Sequence, residues 1–338
     1  MHTATHMLRT GKRGALFQLQ MALLGAVAIA ALAFVLVATT TSRARIWGGV
    51  AFAALAPLVL GRTILDRFDL WPTALLVLSL AAICAGFVRL SFGALSLGMC
   101  AKVFPAAALP VFLVWVRRNR PAELRGALVA FAAVTLVVVT PFLLLGPGGV
   151  RFSAKVGIVR PTQVESLGGS VAFVLDRAGV LDVSTANEYG SQNVYGAGVG
   201  AIGLAMLALL LVALVAGWIV FARGEPSLAR LGAATLASTA AFVAFGKVLS
   251  PQYVIWLIPL APLALGRYAL GTCGALLGAL ACTRYWFPSR YAEVVDLGPE
   301  GWVVLARNLL LVLVFALALW SLRQGGAQIT KSPATTRR

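Results

Sequence analysis

Histidine is nearly missing from this chain: His2 and His6 are the only two, both in the first six residues. No imidazole beyond them is available to bind a metal or relay a proton. Acids are scarce as well, 11 Asp and Glu against 28 Lys and Arg. The cysteines Cys84, Cys100, Cys273 and Cys282 never form a C-x-x-C pair. Neither a zinc site nor a redox motif is expected of them, and they read as small buried hydrophobes. No P-loop, no G-x-G-x-x-G fingerprint and no H-E-x-x-H motif occurs, so an ATP-driven pump is excluded and no metal or cofactor is expected.

What the chain has is apolar surface. Hydrophobic residues make up 60% and charged ones 12%, where a soluble domain carries about 25% charged residues. The bilayer is the natural solvent for such a composition. The net charge of +17 comes from basic residues in short loops between apolar runs. That pattern anchors spans at a cytoplasmic face, and no nucleic-acid partner is expected. Heavy use of Ala, and of Arg over Lys, fits a GC-rich bacterial genome, hence a bacterial plasma membrane.

A span needs about 20 apolar residues. Runs of that kind lie at 15–38, 46–61, 71–88, 91–116, 126–146, 197–222, 228–245, 251–266, 268–283 and 302–322. They predict an all-α, polytopic bundle of about ten spans, one membrane domain over 1–338. Arg9, Lys12, Arg13, the cluster Arg117 to Arg125, Arg223, Arg230, Arg267, Arg323 and the Arg337-Arg338 tail then share one side. With the N-terminus cytoplasmic, that side is the inner one. Arg43 and Arg45 fall on the wrong side of this scheme. The segment 147–196 becomes a long outer loop, with a short helix over Gln163–Ala178 lying on the membrane surface.

Four stretches carry polar chemistry. Lys102 interrupts a run otherwise uncharged from Leu90 to Val116. A lysine there costs at least ~2.5–3.5 kcal/mol on insertion scales, so it either faces a polar cavity or snorkels to the interface. Pro105 breaks or kinks the helix beside it. No acid lies inside a predicted span, so an anionic ligand is the expected counter-charge. Around Gly246-Lys247-Val248-Leu249-Ser250-Pro251-Gln252-Tyr253, Pro251 suits a helix first turn and Ser250 a cap. Lys247, Gln252 and Tyr253 could meet a phosphate or a sugar there; the plain alternative is a capped helix start with an interfacial tyrosine. Asp66-Arg67-Phe68-Asp69-Leu70-Trp71-Pro72 is either a site or a solvated turn with Asp69 as N-cap. Arg160-Pro161-Thr162-Gln163-Val164-Glu165-Ser166 offers a guanidinium and a carboxylate, which read more plainly as a surface salt bridge.

Taken together, several of these stretches resemble glycosyltransferase family 87. They are Arg67 to Pro72, Gly93 to Pro105 with Arg117-Arg118, Gln163 to Leu167, and Lys247 to Leu257. The resemblance covers about residues 60–265. It implies a GT-C fold and a membrane enzyme that moves a hexose, often mannose, from a polyprenyl-phosphate donor to an envelope lipid or glycan acceptor. It implies a lipid-phosphate and sugar site drawing on Lys102, Lys247, Gln252, Tyr253 and Arg160. The family's base is typically an aspartate in the first outer loop near a Tyr-Pro-Pro stretch. No such stretch occurs here and no acid precedes Asp66, as in an N-terminally truncated member. Glu165 and Asp69 are the acids left for that role, although the span count puts Asp69 on the inner side. The alternatives are an inactive member serving as a membrane subunit, and a lipid flippase or transporter. The shortage of acids in the spans argues against ion coupling.

Overall fold

The computed structural model describes residues 2–325. The Arg337-Arg338 tail lies outside the described residues, as do the side chains of Arg9, Lys12 and Arg13. The chain is an all-α bundle with one small hairpin. Its long helices are α1 (His2–Thr39), α2 (Arg43–Leu60), α3 (Leu70–Cys84), α4 (Val88–Ala101), α5 (Leu109–Asn119) and α6 (Leu124–Leu145). After two shorter helices, α7 (Pro147–Val159) and α8 (Leu167–Arg177), come strands β1 (Ser184–Glu188) and β2 (Ser191–Tyr195). Helices α9 (Val199–Arg223), α10 (Leu228–Phe245), α11 (Tyr268–Trp286), α12 (Tyr291–Val295) and α13 (Gly301–Gly325) complete it. Among the described residues, six helical stretches are long and apolar enough to cross a membrane, which is the build of a multi-pass membrane protein.

At the centre stands α10, buried along nearly its whole length. Its sequence explains the position: Gly232, Ala233, Ala234, Ala237, Ala240 and Ala241 let neighbouring backbones come close on every side. Thr235 and Thr239 return their hydroxyls to the carbonyls of Leu231 and Thr235, both at 2.9 Å, so they satisfy themselves within the helix. Helices α9 and α13 pack on either side of it.

The bundle has two ends, and contacts assign each turn to one of them. Arg45 Nη2 donates to Ala264 O at 2.7 Å, and Asn119 Nδ2 donates to Pro226 O at 3.0 Å. Those turns form one end, with Arg230 bonded to Leu322 O beside them. At the other, Gln18 Nε2 donates to Asp66 Oδ1 at 2.8 Å and Gln163 N to Lys247 O at 2.9 Å. Residues 146–198 belong to this second end, here termed the loop end.

Three expectations change. The run 91–116 is not one span. Helix α4 stops at Ala101, Lys102 is extended (φ −161°, ψ 136°), and a 3-10 turn over Phe104–Ala108 sends α5 back. Pro105 is the cause, since it removes a donor and crowds the preceding turn. Helices α4 and α6 run in one direction, joined by Ser96 Oγ donating to Phe131 O at 2.9 Å, and α5, which connects them, runs the opposite way. In consequence Asp69 and the start of α1 sit at the loop end, not opposite it.

The 147–196 segment is also more built than a loop with a surface helix. The helix expected over 163–178 is α8, and Gly168, Gly169, Ser170, Ala172 and Phe173 are buried against α9 and α13. Ser166 caps it, accepting from Gly169 N at 3.1 Å. Strands β1 and β2 close through Tyr189-Gly190, both at positive φ as a tight two-residue hairpin turn requires. Residues 162–164 add to β2: Val164 N donates to Gln192 O at 3.0 Å and Val194 N to Thr162 O at 2.9 Å. Residues 251–263 form 3-10 turns in place of the expected α-helix.

Candidate functional site

At the loop end Lys102 Nζ meets Asp69 Oδ1 at 2.6 Å. The same oxygen accepts from Trp256 Nε1 at 2.7 Å. The Lys102 ammonium lies 4.4 Å from the Tyr253 ring centroid, 4.9 Å from Trp256 and 5.2 Å from Phe68. Phe104 and Tyr253 stack on opposite sides of Trp256 with centroids 4.0 Å and 4.1 Å away. A cation is thus caged by three rings and one carboxylate, each ring contact contributing about 0.5–2 kcal/mol. Lys102 does not face lipid, but its counter-charge is Asp69 rather than an outside anion. Asp69, only 1% exposed, is no solvated turn and makes no side-chain cap bond; its backbone carbonyl accepts from Thr73 Oγ1 at 2.7 Å.

Tyr253 joins the separate stretches. Its ring lies 4.4 Å from Lys102 Nζ, its amide donates to Ser250 O at 2.9 Å, and the charges of Asp69, Arg160 and Glu165 reach its hydroxyl. Ser250 Oγ also accepts from Gln163 Nε2 at 3.5 Å, so it serves this network and not the helix cap expected of it. The Lys247 carbonyl holds the Gln163 amide, and burial followed by the nearby Arg160 charge lowers the affinity of the Lys247 amine for its proton. Arg160 Nε donates to Ser191 Oγ at 3.1 Å. Gln252 is half-buried and makes no side-chain hydrogen bond among the described residues.

Glu165 is the other correction. It forms no surface salt bridge with Arg160 and is 1% exposed. Its Oε1 accepts from Tyr291 Oη at 2.8 Å, while Oε2 is buried without a partner among the described residues. Its backbone carbonyl is held by Arg307 Nη2 at 2.7 Å and Asn308 Nδ2 at 3.1 Å. Burial pushes the Glu165 carboxyl up to about 7, against the opposing Tyr291 bond and the Arg307 charge. Burial and then the Glu165 charge raise Tyr291 in turn. A carboxyl that titrates near neutrality is suited to take and return a proton.

The sequence reading missed Trp256, Tyr291, Arg307 and Asn308. Arg307 carried the same signal as Lys102, a charge within an apolar run, here 302–322. Beside the cage an apolar cleft of about 260 Å³ runs between α1, α2 and the 251–259 stretch, lined by Met21, Gly25, Pro57, Leu70, Ile255 and Ile258. No family model matches the chain, and no curated protein matches it. The resemblance to family 87 therefore rests on the quoted residues alone.

Proposed function

We propose that the chain is a membrane glycosyltransferase that moves a hexose, mannose by the family resemblance, from a polyprenyl-phosphate donor to an envelope lipid or glycan acceptor. The observation that carries this reading is the Lys102–Asp69 pair caged under Tyr253 and Trp256, with the Arg160-to-Glu165 stretch tied beside it by the bonds of Gln163 to Ser250 Oγ and to the Lys247 carbonyl. In this reading the cations stabilise the leaving phosphate as the bond from the sugar's anomeric carbon to the phosphate oxygen breaks. The acceptor hydroxyl oxygen forms the new bond and its proton passes to the Glu165 carboxylate. Asp69 positions Lys102. The ring faces of Tyr253 and Phe68 bound the sugar's place, and the apolar cleft takes the isoprenoid chain. Glu165 is closed over by Tyr291, so the acceptor reaches it when the short α12 segment lifts.

We further propose eleven crossings in a bacterial plasma membrane, with the loop end outside. Counting α4 and α5 separately brings Arg43 and Arg45 to the same side as Arg117, Arg118, Arg223, Arg230 and Arg267, in line with the positive-inside rule, and moves the N-terminus, expected to be cytoplasmic, to the outside. Helix α3 has 15 residues and is about 22 Å long, short of a hydrocarbon core of about 30 Å. Asp69 and Lys102 then lie in a recess below the outer surface, within reach of a lipid phosphate.

A second reading, a noncatalytic membrane subunit, is favoured by the burial of both acids. A binding experiment separates the two. A polyprenyl-phosphate-mannose analogue carrying a photo-crosslinker is expected to label the parent chain near Tyr253, with labelling reduced in Lys247→Ala and Tyr253→Ala. Labelling that is absent from the parent, or equal in all three folded proteins, contradicts the donor site.

A further inference from the structure

The end of the bundle opposite the loop end holds a second polar feature that the proposed reaction does not use. Where α4 and α6 begin side by side, an open cavity of about 450 Å³ is lined by Arg89, Ala122, Arg125, Gly126, Val129 and Ala130. Arg89 reaches from α4 across to α6 and lies flat against Gly126: a Cβ at that glycine would stand 2.6 Å from Arg89 Nε. A side chain at that position would push the guanidinium off its present bed. Arg89 and Arg125 are both exposed, and neither forms an ion pair or a side-chain hydrogen bond among the described residues. The nearby acid, Glu123, is engaged by Arg120 at 3.1 Å.

Two guanidiniums of like charge facing one cavity with no carboxylate between them repel each other, and an anion between them removes that cost. Their planar forks match phosphate oxygens. The cavity floor opens onto the outer face of α6, where Leu128, Val129, Leu136 and Val137 are all exposed. A phosphate bound by the two arginines would therefore trail its acyl chains along an apolar helix face. A soluble phosphate has no use for that face.

We infer that Arg89 and Arg125 form a headgroup site for an anionic phospholipid of the inner leaflet, separate from the lipid-linked-sugar site and independent of whether the chain is an enzyme. Basic pockets between helices on the cytoplasmic side are suited to this role.

The test is native mass spectrometry of the full chain released from micelles containing phosphatidylglycerol, cardiolipin or phosphatidylcholine, in the parent and in Arg89→Gln/Arg125→Gln. Both side chains are exposed, so the variant folds, and its melting temperature without added lipid checks this. The parent is expected to retain phosphatidylglycerol or cardiolipin over phosphatidylcholine, and the double variant to lose that preference by on the order of tenfold or more. Arg151→Gln/Lys155→Gln, at the loop end, should leave it unchanged. Equal retention by parent and double variant would overturn the site. Stabilisation of the parent by inorganic phosphate to the same degree would overturn its assignment to a lipid.

Discussion

Lys102 and Asp69 close a 2.6 Å ion pair across the mouth of the α3–α4 hairpin, one residue following α4 and the other preceding α3. Both are covered by Trp256 from a third element, so the pair fixes the hairpin against the 251–257 turns. Removing one partner of a buried pair leaves an uncompensated charge, whereas removing both does not.

Lys102→Met is therefore expected to destabilise the protein by ~3–5 kcal/mol, and Asp69→Asn/Lys102→Met by clearly less. Reversible thermal or denaturant unfolding in a single detergent measures both. A Lys102→Met protein as stable as the parent would show that the pair does not hold the hairpin.

Glu165 makes stability depend on pH in a definite direction. Its carboxyl titrates at about 7 in the fold against an ordinary 4.5, so the folded state holds the proton more tightly. The stabilisation from this group is complete below about 4.5 and is lost as the pH rises through about 7. Relative to Glu165→Gln, the parent should lose on the order of 3 kcal/mol across that window, at about 1.36 kcal/mol per unit. Parallel pH profiles for the two proteins would contradict the burial of an ionisable Glu165.

The eleven-crossing topology predicts labelling in a background lacking Cys84, Cys100, Cys273 and Cys282. Cysteines placed at Asn187 and Arg67 should react with an impermeant maleimide in intact cells. One placed at Thr41 should react only after permeabilisation. Reaction of Thr41→Cys in sealed cells, or protection of Arg67→Cys, would restore the even span count and move Asp69 inside.

Most of the bundle was legible because apolar runs of this length have few other uses. The reversal at Lys102 was not, because an apolar run reads alike whether it continues or doubles back. Pro105 marked the break, but its sharpness depends on Trp256 and Tyr253 receiving Lys102 from 150 residues further on. The misfit of Arg43 and Arg45 was the trace of that error, since splitting one run changes the parity of every turn before it. The four polar stretches were legible singly through Lys102, Lys247, Asp69 and Glu165. Their convergence was not, because Tyr253 and Ser250 join them through tertiary contacts. Arg307 stood in plain view within an apolar run, yet its role in holding the Glu165 carbonyl needed the fold of α8 against α13.

Turnover decides whether the chain is a glycosyltransferase. The full chain in proteoliposomes would be given labelled polyprenyl-phosphate-mannose and an envelope lipid acceptor, and transfer followed from pH 5 to 9. Transfer is expected to rise with an apparent pKa near 7 and to fall by ~10²–10⁴-fold in Glu165→Gln. A parent protein that transfers nothing, or a Glu165→Gln protein that works as well as the parent, would contradict it.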